Sequence, residues 1–298
     1  MTEAIFTGSG VALVTPFTKD GRLDEAVLRE LVGFHRREGS DALVVCGSTG
    51  EAATMSPDEQ RRAVEVVAGE NGGAVPVVAG VGGSDTAVAR SVARGAREAG
   101  ADALLVAPPP YNKPSQDGMI AHFRAIMDEA DLPTILYNVP GRTACNLLPE
   151  TVERLARDER VRGVKEASGD VSQVAELARR VGARVTLYSG NDDQIVPLLA
   201  LGGKGVISVL ANLAPADTSR MVHAFLEGEV DEALDLQLHY LPLIQLLFSE
   251  PNPVPVKAGV AALGFQTGEP RLPLLPVTSG GRERLLAAMR EAGLPVRG

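Results

Sequence analysis

One lysine in this sequence stands at a position suited to covalent chemistry. The chain has 29 basic residues, of which only five are lysines, and Lys165 ends the segment Val161-Arg162-Gly163-Val164-Lys165, a predicted strand whose other inward positions are apolar or small. Burial favours the neutral amine, the form that attacks a carbonyl to make a Schiff base. Two other interpretations remain open from position alone: an ion pair with Glu166, or an amine that reaches bulk water.

Tyr137 ends the predicted strand that precedes the Lys165 strand. If the two strands are neighbours, the phenol hydroxyl lies near the amine and can relay protons. A tyrosine at a strand end is also a common packing residue whose hydroxyl binds backbone, so a structural role is the alternative.

Two further segments have residue types that bind anions. Gly47-Ser48-Thr49-Gly50 combines two hydroxyls with two glycines, which allow a turn whose N–H groups can seat a carboxylate or phosphate. Arg142 follows a Pro-Gly pair, and a guanidinium can bind a carboxylate through two hydrogen bonds. The alternatives are a plain strand-to-helix turn and a solvated loop arginine.

Other motifs give weaker signals. The glycines of 80–83 lack the spacing of a dinucleotide turn, and the segment 202–204 precedes a strand, unlike a phosphate loop. No metal-ligand spacing surrounds the four histidines, which are His35, His122, His223 and His239. The sequence therefore predicts neither a metal site nor a cofactor.

The elements that must position these residues follow a regular alternation. Continuously apolar runs predict strands buried on both faces at Gly10–Val14, Ala42–Cys46, Val75–Ala79, Ala103–Ala107, Thr134–Tyr137, Gly163–Lys165, Val185–Tyr188 and Gly205–Ser208. The segments between them have helical periodicity, and Ser56, Asp85, Asp170 and Asn191 stand at predicted helix starts. Eight such units predict an α/β fold of the (β/α)8 TIM barrel type. A doubly wound sheet is the alternative, but the first strand lacks a glycine-rich turn after it.

The last quarter of the chain has a different pattern. It predicts helices alone, at Val230–Phe248, Val254–Leu263 and Gly281–Glu291. We therefore divide the chain into a catalytic barrel, residues 1–225, and a C-terminal helical extension, residues 226–298.

The composition favours a small-molecule ligand. The 298 residues have a net charge of −9 and no lysine or arginine block, which argues against nucleic acid and anionic membranes as partners. Cys46 and Cys145 have no disulfide or metal spacing. The start lacks a signal-peptide pattern, and the apolar stretch 241–248 is too short to span a bilayer. These features predict a soluble cytoplasmic protein.

Several motifs occur in an order that resembles one enzyme family. They are Gly47-Ser48-Thr49-Gly50-Glu51, Tyr111-Asn112-Lys113-Pro114-Ser115-Gln116, Tyr137-Asn138-Val139-Pro140-Gly141-Arg142-Thr143, Lys165-Glu166-Ala167-Ser168-Gly169-Asp170, Gly205-Val206-Ile207-Ser208 and Pro251-Asn252-Pro253-Val254-Pro255-Val256-Lys257. Over essentially its whole length the sequence resembles the dihydrodipicolinate synthase / N-acetylneuraminate lyase family. The resemblance implies a Schiff-base enzyme acting on pyruvate or a related 2-oxo acid, on a (β/α)8 barrel with a helical extension.

The resemblance also implies catalytic roles. Lys165 would form the imine, and Tyr137, Thr49 and Tyr111 would form a proton relay. Tyr111 would come from the adjacent subunit of a tight dimer, and a homotetramer built as a dimer of dimers is the expected assembly.

Substrate-binding roles follow from the same resemblance. Ser48 and Thr49 would hold the pyruvate carboxylate, and the backbone of Gly190 and Ile207 would line the pocket. Arg142 belongs to a Pro-Gly-Arg-Thr loop that resembles the synthases of the family, in which the arginine contacts the carboxylate of aspartate semialdehyde. Ser48 stands where those synthases more often have threonine, but either residue supplies a hydroxyl.

The expected reaction is therefore a condensation of pyruvate with aspartate semialdehyde, followed by cyclisation. Its product, 4-hydroxy-tetrahydrodipicolinate, begins the diaminopimelate route to lysine. One alternative is another class I pyruvate-dependent aldolase, lyase or dehydratase of the family, acting on a 2-oxo sugar acid. A barrel that binds small anions as a sensor is an alternative from a different class.

Departures from the family's motifs predict how the enzyme responds to lysine. In lysine-inhibited members the effector lies at the dimer interface among polar and acidic groups. Matching the motifs places Val88 at the family's glutamate, Pro110 at its pocket tyrosine, and Pro57 and Gln60 at two histidines. We expect insensitivity to lysine unless another carboxylate, for example Asp85, replaces the lost one.

Overall fold

The computed structural model describes residues 3–297, and a closed barrel of strands lies at its centre. The strands are β1 (Gly8–Ala12), β2 (Ala42–Val45), β3 (Val77–Val81), β4 (Ala103–Val106), β5 (Thr134–Asn138), β6 (Val161–Glu166), β7 (Thr186–Ser189) and β8 (Gly205–Ser208). Each strand pairs in parallel with the next, and β8 pairs with β1. The predicted (β/α)8 barrel is confirmed.

Helices surround the barrel and form the end of the chain. Those that follow strands are α1 (Glu25–Arg37), α2 (Pro57–Asn71), α3 (Thr86–Glu98), α4 (Gln116–Ala130), α5 (Pro140–Thr143), α6 (Pro149–Leu155), α7 (Val171–Val181), α8 (Ile195–Ala200) and α9 (Pro215–Glu227). The extension contains α10 (Val230–Leu247), α11 (Val254–Ala262) and α12 (Ser279–Glu291). Because α9 ends at Glu227, the boundary drawn between 225 and 226 falls inside its last turn.

The strands are buried on both faces, as their continuous apolar composition predicts. Side chains such as Val44, Leu105 and Ile135 belong to a cluster inside the barrel, while their neighbours Leu43 and Leu104 belong to the core that includes the surrounding helices. This alternation fills the barrel interior with side chains and leaves its C-terminal mouth as the place for a cavity.

Two strands lie two residues away from their predicted positions. The first was expected at Gly10–Val14, but pairing ends at Ala12, and the Val14 N–H donates to Asn212 Oδ1 (3.1 Å) instead of to a neighbouring strand. The third was expected at Val75–Ala79 and runs from Val77 to Val81. Pro76 has no N–H to give to a ladder, so pairing begins after it.

Gly80 explains why the third strand continues through a glycine-rich stretch. A Cβ at this position would lie 2.2 Å from the Cys46 carbonyl oxygen, so only glycine permits the two backbones to approach this closely. Gly80 is therefore a close-packing position inside a strand.

Capping side chains begin five of the helices that follow strands, and those of α2, α3 and α7 were predicted from the sequence. Ser56 and Glu59 form the predicted capping box of α2. Asp85 accepts the Ala87 N–H at the start of α3, and Asp170 accepts two N–H groups at the start of α7. Asn191, a predicted start, makes no side-chain cap, and the chain there enters a short 3₁₀ turn before α8.

The described residues contain neither a cluster of metal-binding side chains nor a helix suited to span a membrane. Within residues 3–297 no group of three or more His, Cys, Asp or Glu side chains is placed to hold a metal ion. No helix in the same range combines the length and the apolar character needed to cross a bilayer. Cys46 and Cys145 are both buried free thiols.

Candidate active site

Lys165 lies inside the barrel at the C-terminal end of β6. Its side chain is 6% exposed, and the pairing of β5 with β6 sets it directly beside Tyr137. Lys165 Nζ lies 4.3 Å from the centre of the Tyr137 ring, within the range of a cation–π contact. The two residues are therefore neighbours at adjacent strand ends, as their positions in the sequence predicted.

The Lys165 amine has no carboxylate partner among residues 3–297. The adjacent Glu166 points away from it and accepts hydrogen bonds from Asn138 Nδ2 (3.0 and 3.2 Å) and from the Ser168 N–H (2.6 Å). The alternative in which Lys165 pairs with Glu166 is therefore wrong. Successive residues of a strand face opposite sides of the sheet, so the amine enters the cavity while the carboxylate faces the helices.

Glu166 belongs to a polar network that holds the loop after β5. Asn138 Nδ2 also donates to Asn146 Oδ1 (2.9 Å), and Asn138 Oδ1 accepts the Leu147 N–H (2.9 Å). Asn146 Nδ2 donates to Gln173 Oε1 (2.7 Å) on α7. These bonds tie the ends of β5 and β6 to each other, so they orient the strands that bear Tyr137 and Lys165.

Gly190 allows β7 to approach the lysine stem. A Cβ at Gly190 would lie 3.0 Å from Lys165 Cε and 2.6 Å from the Ala167 Cβ. Any side chain here would push the amine out of its place. The predicted lining role of the Gly190 backbone fits this geometry.

The loop that holds Ser48 and Thr49 is fixed from several sides. Thr15 Oγ1 donates to the Gly50 carbonyl (2.6 Å), and Asn252 Nδ2 donates to Thr49 Oγ1 (3.0 Å). Glu51 follows in a left-handed conformation, with φ of 56°. The two hydroxyls thus have defined positions at the mouth of the barrel.

Asn252 is a site residue to which the sequence analysis assigned no role. Its carbonyl accepts a hydrogen bond from Arg142 Nη2 (2.9 Å), and its buried Oδ1 has no partner among the described residues. Its only local signal is the proline on each side. Its contact with Thr49 spans 203 positions and cannot be predicted from local sequence.

One cavity of about 140 Å³ at the barrel mouth contains most of the predicted residues. Its lining is Ala12, Val44, Gly47, Ser48, Thr49, Leu105, Tyr137, Val139, Arg142, Lys165, Ala167, Gly190, Asn191, Val209, Phe248 and Asn252. Ile207 is outside this set, because its side chain is buried in the cluster inside the barrel, while Val209 reaches the cavity.

Tyr111 lies apart from the cavity of its own chain. Its side chain is 90% exposed, and its φ of 70° is unusual for a bulky residue. Such backbone strain costs roughly 1–3 kcal/mol and persists where the surroundings enforce it. The loop therefore presents an aromatic ring to solvent in this single chain.

A second cleft of about 460 Å³ adjoins the cavity and shares Ser48, Tyr137 and Arg142 with it. Four residues matched to the family's effector positions line this cleft together, namely Pro57, Gln60, Val88 and Pro110. Asp85 is not among its lining residues, and its carboxylate caps α3.

A buried acid supports the far side of the cavity. Asp192 Oδ2 accepts the N–H groups of Val209 (3.1 Å) and Leu210 (2.9 Å), which fixes the chain just after β8. Burial raises the pKa of Asp192 above its usual range, and hydrogen bonds from the Ser208 hydroxyl and from the Leu210 and Val209 N–H groups partly oppose this rise.

The site has the features of the class of Schiff-base barrel enzymes. A buried lysine lies beside a tyrosine and next to a hydroxyl-bearing loop, at the C-terminal mouth of a (β/α)8 barrel. The model of the dihydrodipicolinate synthetase family matches residues 5–292. The chain belongs to this family.

Two relatives match this chain over nearly its full length. The chain is 47% identical to the 4-hydroxy-tetrahydrodipicolinate synthase of Thermoanaerobacter sp. (strain X514), covering 97% of this chain and 98% of that one. It is 48% identical to the enzyme of the same name from Caldicellulosiruptor bescii, with 99% of each chain covered.

Three solved structures have the same fold. Dihydrodipicolinate synthase from Aquifex aeolicus superposes with a TM-score of 0.95 at 37% identity, and the match covers 98% of this chain and 100% of that chain. The Acinetobacter baumannii enzyme, solved with pyruvate, gives 0.94 at 38% identity, with 97% and 99% covered. A monomeric dihydrodipicolinate synthase variant gives 0.94 at 38% identity, with 97% and 98% covered.

Proposed function

We propose that this protein condenses pyruvate with aspartate semialdehyde to form 4-hydroxy-tetrahydrodipicolinate, the first committed step of the diaminopimelate route to lysine. The main supporting observation is Lys165, buried without a carboxylate partner in a cavity that also contains the hydroxyls of Ser48 and Thr49. Relatives of matching length that are named for this reaction favour it over a sugar-acid lyase or an anion sensor.

The proposed chemistry begins with imine formation. The neutral Lys165 amine attacks the ketone carbon of pyruvate, and loss of water gives an iminium. Its positive nitrogen accepts the electron pair when a methyl proton leaves, so an enamine forms. The enamine carbon then bonds to the aldehyde carbon of the second substrate, and the substrate's own amine closes the ring and displaces Lys165.

The residues around Lys165 have proposed roles in this sequence. Ser48 and Thr49 hold the carboxylate of pyruvate, so its ketone faces the amine. Tyr137 lies against the amine and moves protons during formation and loss of the carbinolamine. Thr49 continues the relay, and Tyr111 of a second subunit completes it. Neither a metal nor a cofactor takes part in these steps.

Replacing Lys165 by alanine tests the covalent step. Borohydride treatment with pyruvate should trap a stable adduct on wild-type Lys165, detectable by mass spectrometry, and Lys165→Ala should lose both the adduct and the activity. Lys204→Ala is a matched control, since Lys204 is exposed before β8 at the opposite end of the barrel. A pyruvate adduct that persists in Lys165→Ala would refute the assignment.

Arg142 is the proposed clamp for the carboxylate of aspartate semialdehyde. Its guanidinium lines the cavity and is oriented by the Asn252 carbonyl. Arg142→Ala should raise the KM for aspartate semialdehyde roughly ten- to hundredfold, the size expected for lost hydrogen bonds to a charged group, and change the KM for pyruvate little. Steady-state kinetics with each substrate varied will measure this, with the exposed Arg179→Ala as control. An unchanged KM for the aldehyde would remove Arg142 from this role.

We also propose that two subunits share each active site. An exposed aromatic ring on a strained loop, together with a large, mostly apolar cleft beside the cavity, suits the exchange of Tyr111 between two copies of the chain. A dimer of dimers is the proposed assembly, although a similar protein is described as a monomeric variant.

Complementation between two inactive variants tests the shared site. Tyr111→Phe lacks the relay hydroxyl and Lys165→Ala lacks the nucleophile. In a mixed dimer one site regains both groups, so co-expression should restore about a quarter of wild-type activity if subunits pair at random. Activity of the mixture no greater than that of the separate variants would mean that Tyr111 does not act across subunits. Sedimentation of the wild type will measure the assembly.

We propose further that lysine does not inhibit this enzyme at millimolar concentration. The cleft offers Val88 and Pro110 where the family resemblance implies a glutamate and a tyrosine, and Asp85 is occupied as a helix cap. Leaving an ammonium group poorly paired in a partly buried site costs on the order of a few kcal/mol, and an effector acts only through its differential affinity for two states.

Titration of L-lysine into the coupled assay measures this prediction. Wild-type activity should stay unchanged at millimolar lysine, whereas the double variant Val88→Glu, Pro110→Tyr restores a carboxylate and a ring to the cleft and should gain inhibition. Strong inhibition of the wild type below millimolar lysine would show that other groups bind the effector.

The cytoplasm is the proposed compartment. Both cysteines are unpaired, and burial raises the pKa of the Cys46 thiol to about 12, which keeps it protonated and unreactive at neutral pH. Free thiols of this kind are compatible with a reducing environment.

A further inference from the structure

A buried ion pair joins the C-terminal extension to the loop that seats the substrate carboxylate. Lys257 Nζ on α11 lies 2.6 Å from Glu51 Oε1, and the two side chains are only 1% and 2% exposed. Glu51 directly follows the Gly47–Gly50 turn. We propose that the Glu51–Lys257 pair is a positioning device that holds this turn in the conformation that binds pyruvate. The inference rests on the proposed role of Ser48 and Thr49.

The backbone of this loop needs to be held. Cys46 and Glu51 stand at its two ends, and both have φ of 56°, a left-handed conformation that residues other than glycine rarely adopt. Such residues keep this conformation only when surrounding contacts enforce it. The Glu51 N–H donates to the Ser48 carbonyl (3.2 Å), so a change at Glu51 is transmitted directly to the hydroxyl-bearing residues.

Both oxygens of the Glu51 carboxylate are engaged. Oε1 accepts from Lys257, and Oε2 accepts the Arg271 N–H (2.9 Å). Lys257 Nζ also donates to the Glu269 carbonyl (3.3 Å) and lies 4.2 Å from the centre of the Phe17 ring. Burial lowers the pKa of Lys257, and the charge and the hydrogen bond of Glu51 partly oppose this effect.

A second contact links the same part of the extension to the same loop. Asn252 Nδ2 donates to Thr49 Oγ1 (3.0 Å), and Asn252 stands two positions before α11, the helix that contains Lys257. The loop is thus attached at Thr49 and at Glu51 to one short segment, 252–257. A rigid attachment on both sides of Gly50 restricts the hydroxyl positions more than either contact alone.

Stability alone does not account for this pair. Replacing a buried ion pair by apolar residues of similar size is often neutral or stabilising, because taking two charges out of water is costly. Buried ionic groups are best attested as devices that select one arrangement among several. The arrangement selected here is that of the turn at the substrate carboxylate.

The test replaces the pair by apolar residues of similar volume. In Glu51→Leu, Lys257→Met neither charge is left unpaired, and loss of the acceptor for the Arg271 N–H should lower the Tm only modestly, so the double variant should still fold. We expect the KM for pyruvate, and the pyruvate concentration that half-saturates borohydride trapping on Lys165, to rise about tenfold or more, since small displacements of positioning groups have effects of this size. The KM for aspartate semialdehyde and the kcat should change less.

Tyr240→Phe is the matched structural control. Tyr240 on α10 donates to Asp217 and is buried in the same extension, and it is not among the residues that line the cavity. This variant should lower the Tm and leave the half-saturation for pyruvate unchanged, because loss of stability reduces the amount of active enzyme and not its affinity. Glu51→Gln, which keeps the shape and removes the charge, should show a smaller rise.

The outcomes separate the inference from the proposed function. Folded pair variants with wild-type half-saturation would overturn the inference alone, as would failure of both pair variants to fold, since the pair would then be a requirement of folding. Absence of trapping in the wild type would overturn the proposed function and the inference with it. A rise confined to pyruvate supports the positioning role.

Discussion

Closure of the parallel barrel is the constraint on which the site depends. A closed sheet has no free edge, so its interior is filled with side chains, and the C-terminal mouth is where polar groups can converge. Phe6 and Tyr188 stack at a centroid distance of 4.4 Å inside this barrel, and the Tyr188 hydroxyl donates to the Phe6 carbonyl (2.7 Å). With the interior packed in this way, the Lys165 amine has access only to the cavity, beside Tyr137.

Much of this arrangement could be predicted because its signals are local. Strands buried on both faces have continuous apolar runs, and helices that follow them begin with caps such as Ser56 and Asp170. Lys165 and Tyr137 could be found because strand ends meet at one face of a barrel. Where the predicted strand limits were wrong, at β1 and β3, two causes are contacts between distant residues, Val14 with Asn212 and Gly80 with Cys46, while the late start of β3 follows from Pro76.

The rest of the site depends on contacts between distant parts of the chain. Thr49 meets Asn252 across 203 positions, and Glu51 meets Lys257 across 206. The residue type of Lys257 could not predict its ion pair, because the role of a lysine amine depends on which carboxylate lies next to it in the folded chain. Likewise the direction in which Glu166 points, away from Lys165, follows from strand alternation and from the amides of Asn138.

The C-terminal extension is therefore part of the structure that supports the active-site loops, and not a separate domain attached to the barrel. A (β/α)8 barrel supplies its catalytic groups from loops that follow separate strands, and these loops have no sheet of their own to hold them. In this chain the segment 252–257 lies across the barrel mouth and contacts the loop after β2 at Thr49 and Glu51. The Asn252 carbonyl of the same segment accepts a hydrogen bond from Arg142 in the loop after β5. The residues proposed to hold the two substrate carboxylates are thus oriented by one common support. Within this support Asn252 contacts both loops, whereas the Glu51–Lys257 pair contacts only the loop after β2, so loss of the pair should act mainly on the site proposed for the pyruvate carboxylate.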